Sequence, residues 1–252
     1  MIAIVASLFT IFFNIQHVRV GPVPQELREN LKLDPFYEKH VSYRGYPILG
    51  SKQVSEAALL EARFLVSQML ADRSDLVKAL VEARSRLVVM SPTEQTTDVP
   101  EQRNMTPKDY WDQRARGLGG RIASCGEENL LNLKGDRYPK ENILIHEFSH
   151  TIAGYGLKRV EPKFDEALKR CYAKAMEAGL WKGTYAATNA GEYWAEAVQS
   201  YFDCNAPKGG IHNDANTREK LQKYDPEVYE LIDAVFRKSK FRYTRYDQRP
   251  KP

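Results

Sequence analysis

Cysteine is scarce in this chain: three in 252 residues, Cys125, Cys171 and Cys204, with no C-x2-C pair among them. That excludes a disulfide scaffold and does not look like a thiolate metal cluster, leaving one disulfide plus a spare thiol, or three thiols. Glycine (15) and proline (13) are too few for a collagen-like or low-complexity chain. Neither sign of charge dominates. Thirty-seven Lys and Arg against 33 Asp and Glu leave +4, too mild to argue for a nucleic-acid partner. No internal repeat occurs. Long apolar runs are missing except at residues 2–13, which carry no charge. A helix of that length covers about 18–21 Å, short of the ~30 Å hydrocarbon core. The length fits the apolar region of a secretory signal, although no Lys or Arg precedes it and no A-x-A site follows. Residues 1–20 are therefore expected to be a signal peptide or membrane anchor, with the protein secreted or extracellular, or membrane-tethered. The sequon Asn104-Met105-Thr106, in a polar stretch, points the same way.

What remains is a chain of ordinary balance, 42% hydrophobic and 28% charged, long enough to bury a core without staples. After Gly21-Pro22-Val23-Pro24, residues 26–50 read as loops with short helical turns. Ala58, Leu59, Ala62, Leu65, Val66, Met69 and Leu70 recur at helical spacing and predict a long apolar-faced helix over 55–71. A second helix is expected at 75–83, a buried strand at 86–90, and a loop over the polar, proline-bearing residues 91–107. A short helix at 108–115 meets Gly117-Leu118-Gly119-Gly120, and short strands are expected at 121–123 and 129–132. Pro139 opens the next helix, which ends near Gly154 or Gly156. Further helices are expected at 162–178, 190–203 and 226–238. Residues 21–240 thus read as one domain. Residues 237–251 hold seven Lys and Arg and one acid, so 241–252 reads as a solvated basic tail.

Chemistry enters with His146-Glu147-Phe148-Ser149-His150, an H-E-x-x-H motif inside a helix. Spacing of i and i+4 stacks the two imidazoles on one face, about one turn apart, where both can bind one tetrahedral zinc ion. Glu147 beside them is placed to take a proton from water. Ile145, Phe148 and Ile152 fall on another face and anchor the helix in the core. A catalytic zinc site needs a third protein ligand. The metzincin extension would require Gly and His where Ala153 and Gly156 stand, so that class is out. The candidates are Glu192 and Glu196, which share one face of the helix around 191–203. Like charges at i and i+4 cost an exposed helix a few tenths of a kcal/mol, a cost that a bound cation reverses.

At HEFSH, followed by TYAATNAGEYWAEAVQSYF, the sequence resembles the zinc-protease domain of anthrax toxin lethal factor and related gluzincins. The resemblance covers roughly 139–204; the thermolysin N-E-x-x-S-D and aminopeptidase G-x-M-E-N patterns are absent. It implies an α+β zincin-like fold: a small mixed sheet, a backing helix, the motif helix and a mostly helical C-terminal lobe. It also implies Glu192 as third zinc ligand, Glu196 in support, and Tyr185, seven residues before Glu192, beside the metal. The toxin's target is not carried over.

The residues then describe a zinc metalloendopeptidase with one zinc per chain, held by His146, His150 and Glu192, and a protein or peptide substrate. Glu147 is its general base. Tyr185 donates a hydrogen bond to the oxyanion, and Glu196 orients a ligand imidazole by accepting its other ring N–H. Residues 129–132 are the expected strand against which substrate lies. The competing reading is a non-proteolytic zinc-binding domain that docks proteins. An intact Glu147 argues against it, because a structural site has no use for a general base.

Overall fold

A six-stranded mixed sheet organises the chain in this computed structural model, which describes residues 18–250. The apolar segment at 2–13, and with it the expected signal or anchor, lies outside the described residues. Among those residues no helix is long and apolar enough to cross a membrane. The strands are β1 (Gly21–Pro22), β2 (Lys39–Tyr43), β3 (Tyr46–Gly50), β4 (Arg86–Met90), β5 (Gly117–Leu118) and β6 (Ile122–Gly126). Their spatial order is β1-β2-β3-β4-β6-β5, with β3, β4 and β6 parallel and the other pairings antiparallel.

Alternation explains why β3 and β4 read as unbroken apolar runs: both faces are covered. Ile48, Leu87 and Val89 enter the main core, while Leu49, Val88 and Met90 enter a smaller one with Leu33, Tyr37 and Val99. The β2–β3 hairpin replaces the loops expected over 26–50. Its turn residues, Arg44 (φ 48°) and Gly45 (φ 88°), are both left-handed, as a tight two-residue hairpin requires. Arg rather than Asn or Gly at the first of these positions hides the turn from a reading by composition.

The helices are α1 (Gln25–Leu31), α2 (Glu56–Met69), α3 (Ser74–Glu82), α4 (Lys108–Arg114), α5 (Glu127–Leu130) and α6 (Ile143–Thr151). A π-helical turn, Ile152–Leu157, continues α6 into α7 (Lys158–Val160). Then come α8 (Phe164–Glu177), α9 (Ala190–Tyr201), α10 (Arg218–Tyr224) and α11 (Pro226–Val235). Helix α2 contacts β2, β3 and β4 as a backing helix, α6 crosses β6, and α8 to α11 build the C-terminal lobe. This is the expected α+β architecture, with a small mixed sheet, a backing helix, the motif helix and a mostly helical C-terminal lobe.

Two stretches depart from expectation. Residues 129–132 form no strand, because α5 takes Glu127–Leu130 and Asn129 spends its side chain on the neighbouring loop. Residues 241–249 lie along the body where a solvated tail is expected. Phe241, Tyr243 and Tyr246 pack on the main core, the Tyr243 amide donates to the Phe202 carbonyl at 2.8 Å, and Arg249 pairs with buried Glu61. The aromatics interleaved with the basic residues supply the buried surface that a pure charge run lacks. All three cysteines are free thiols.

Candidate metal centre

The motif helix starts where two asparagines place it. Asn142 caps α6 by accepting the Ile145 amide at 3.0 Å, and Asn129 accepts the Ile143 amide at 2.8 Å. The Asn129 amino group holds the carbonyls of Tyr138 and Glu141, so the helix begins at Ile143 and not at Pro139. Ile145, Phe148 and Ile152 are fully buried, which turns His146 and His150 toward a cleft of 610 Å³.

Helix α9 carries the other half of the site. Asn189 caps it by accepting the amides of Gly191 and Glu192 at 2.8 and 3.0 Å. Glu192 therefore stands in the first turn, where the helix dipole favours a carboxylate. Tyr193 and Trp194, on the far side, are fully buried. The Trp194 indole N–H donates to the Ser149 carbonyl at 3.0 Å, tying α9 directly to α6. Asp225 accepts from Tyr193 Oη at 2.6 Å and Trp181 Nε1 at 2.9 Å, so the buried polar tips are satisfied.

Three donor atoms meet in the cleft. His146 Nε2 lies 3.3 Å from His150 Nε2 and 3.1 Å from Glu192 Oε2, and His150 Nε2 lies 3.4 Å from the same oxygen. Donors at the corners of a tetrahedron around zinc, with bonds of about 2.0–2.1 Å, stand about 3.3–3.4 Å apart. The donor set fits such an ion. His146, Glu147 and His150 also form a group whose ligand atoms all lie within 4.8 Å of one another. Glu147 and Glu192 thus compete for the role of third ligand. The nearly equal-sided triangle favours Glu192, whose Oε2 faces both ring nitrogens.

The electrostatics follow from crowding three carboxylates around two imidazoles. Burial alone lowers the affinity of His146 for a proton. The hydrogen bond to Glu192 and the charges of Glu147 and Glu196 outweigh it and raise the ring to about 10. Burial opposes the charge of Glu192, yet the two imidazoles hold it well below the usual carboxylate range. Burial pushes Glu147 up, and the imidazoles only partly reverse this. A group raised in the folded state stabilises it below the unfolded value of 6.5 and loses that contribution as pH climbs toward about 10. Metal-free protein should therefore melt at progressively lower temperature from pH 6.5 to about 9, the ordinary value of a thiol, above which the buried cysteines add their own effect. Calorimetry checks this, and zinc loading should remove the fall.

Above the triangle runs the sheet edge. Strand β5 pairs antiparallel with β6 on one side, and Gly117, Leu118 and Gly119 line the cleft. A Cβ at Gly119 would stand 2.7 Å from His150 Cβ and 3.1 Å from Glu147 Oε2. Gly119→Ala is therefore expected to displace the motif side chains and cost on the order of 100-fold in activity, as ångström-scale misplacement does. Gly154→Ala, with no atom within 4 Å of the new methyl, serves as the neutral control in the same assay.

No protein-family model matches the chain, and no curated protein sequence matches it. Its structure is similar to that of the Pro-Pro endopeptidase from Paenibacillus alvei, with a TM-score of 0.52 at 17% sequence identity. The match spans 75% of this chain and 96% of that one. The two chains share a fold.

Tyr185 sits in a short 3₁₀ turn whose amide donates to the Ile211 carbonyl at 2.8 Å, and its ring stacks on His146 with centroids 6.2 Å apart. Burial, then the charge of Glu192, pushes its phenol up to about 12, so the hydroxyl keeps its proton at neutral pH. Glu196 does not make the hydrogen bond expected of it. Its Oε1 lies 3.7 Å from His146 Nδ1, beyond hydrogen-bonding distance, while Oε2 accepts from Asn205 and faces His212 Nδ1 at 3.2 Å. The atom that meets His146 Nδ1 is Gln199 Oε1, at 2.8 Å. Sequence reasoning passed over Gln199 and His212. Position i+7 from Glu192 on a predicted helix was the available signal for the first; the second stands in a loop and had none.

Proposed function

We propose that this chain is a zinc-dependent endopeptidase, with His146, His150 and Glu192 holding the ion and Glu147 acting as general base. The supporting observation is the triangle of two nitrogens and one oxygen, with edges of 3.1, 3.3 and 3.4 Å, beneath a sheet edge. Zinc held there would supply a Lewis acid that lowers the pKa of water toward ~7.

The chain's own groups perform the rest. Glu147, raised by burial, takes a proton from the attacking water and later delivers it to the departing amine. The Glu147 carboxylate lies against Gly119, where an added methyl would stand 3.1 Å from its Oε2. Tyr185 Oη, still protonated, donates to the oxygen that gains charge as the carbonyl is attacked, a contribution of ~3 kcal/mol for a single such donor. The outer edge of β5 offers backbone groups to an extended peptide, which would add as a further antiparallel strand, replacing residues 129–132 in that role. The apolar leader at 2–13 suits a secreted or membrane-tethered peptidase.

Metal analysis should find one zinc per chain. A peptide library that includes Pro-Pro bonds, which the Paenibacillus enzyme is named for, should show cleavage that a chelator removes and zinc restores. Protein that binds zinc yet cuts nothing in the library would move the assignment to the docking role.

A further inference from the structure

Helix α9 presents Glu192, Glu196 and Gln199 on one face, and the third of these ends in an arrangement that fixes its orientation. Gln199 is fully buried. Its Nε2 donates to Glu141 Oε2 and to the Asn142 carbonyl, both at 3.2 Å. Two acceptors at one end identify that end as the amino group. Oε1 therefore faces His146 Nδ1 at 2.8 Å, and an amide oxygen can only accept. His146 must carry its proton on Nδ1. The lone pair of the neutral ring is then on Nε2, the atom that faces Glu192 and His150.

We infer that Gln199 is the positioning residue for His146, fixing the ring's tautomer and rotation through a neutral acceptor that Glu141 and Asn142 hold in place. This rests on the reading of His146 as a metal ligand only for its effect on zinc; the Nδ1 proton is set with or without the ion. An amide suits the post better than the expected carboxylate. Glu147, Glu192 and Glu196 already crowd the ring, and a fourth charge there would add to their repulsion. Asn142 is also the N-cap of α6, so one amide joins the start of the motif helix, its first imidazole and α9.

The test uses nitrogen-15 NMR of the histidine rings and zinc affinity by chelator competition, on the full chain. Wild type should show a solvent-protected His146 Hδ1 signal both with and without zinc. Gln199→Leu should lose that protection and bind zinc about 10–100-fold more weakly, the usual effect of removing such a partner. Val198→Ala, a buried truncation on the same turn, should lower the melting temperature and leave both readouts unchanged. A wild-type His146 without a protected Hδ1 proton overturns the inference, whether or not any variant folds. So does a folded Gln199→Leu with unchanged zinc affinity, or a Val198→Ala that weakens zinc equally. Wild type that binds no zinc but keeps the protected proton would instead remove the proposed metal site and leave Gln199's role standing.

Discussion

Glu147→Gln is expected to suppress peptide hydrolysis by about 10²–10⁴-fold, the range a positioned general base contributes. Zinc should stay bound, because the triangle of His146, His150 and Glu192 does not include this side chain. The glutamine is the same size and fits the same space beside Gly119. Burial opposes charge on Glu147, so the uncharged replacement should melt no lower than wild type. Kinetics on a cleaved library peptide, metal analysis and a melting curve read the three expectations separately. Activity within tenfold of wild type, with zinc bound, would sink the assignment of the base.

Glu128→Ala is expected to cost about 3–5 kcal/mol of stability, because it leaves a buried guanidinium without its counter-ion. Arg116 and Glu128 are 3% and 5% exposed, and their forked pair closes at 2.5 and 2.8 Å. Two of the three remaining Arg116 N–H groups go to the carbonyls of Glu94 and Ser91. Unfolding in urea should show the loss, and melting should fall by roughly 6–20 °C for a chain of this size. Activity should fall as well. Arg116 immediately precedes β5, so the pair holds the sheet edge that brings Gly119 over His150. A double replacement, Arg116→Met with Glu128→Leu, should recover part of the loss but not all, since the two carbonyls would remain unpaired. A Glu128→Ala protein as stable as wild type would show that the pair does not restrain β5.

Periodicity carried much of the fold into view. Helices α2, α3, α8 and α11 follow apolar spacings that survive in one sequence, since each buries one face, whereas α9 is buried on every side from Tyr193 to Tyr201. Strand β4 is visible because both its faces are buried. The hairpin over 39–50 escaped because its turn uses Arg44 in a left-handed conformation that residue rarely adopts. Strand β5 escaped for the opposite reason. Two residues with glycine at the first have no β-propensity of their own, and only pairing with β6 makes them a strand. The span 129–132 reads as a strand in sequence, yet the Asn129 side chain is committed to the start of α6.

At the site the division follows distance along the chain. The sequence by itself determined that two imidazoles share a face with a carboxylate beside them, because a helix repeats every 3.6 residues and four positions suffice. It also determined that α9 would carry Glu192 and Glu196 on one face, apart from Trp194, Ala197, Val198 and Tyr201. Tertiary structure alone decided that this face lies against His146 and His150, through the Trp194–Ser149 hydrogen bond and the packing of α9 on α6. It also decided which residue of the helix meets each nitrogen. Glu196 and Gln199 are separated by less than one turn, and a difference of 0.9 Å in reach, set by how the two helices cross, gives His146 an amide in place of a carboxylate.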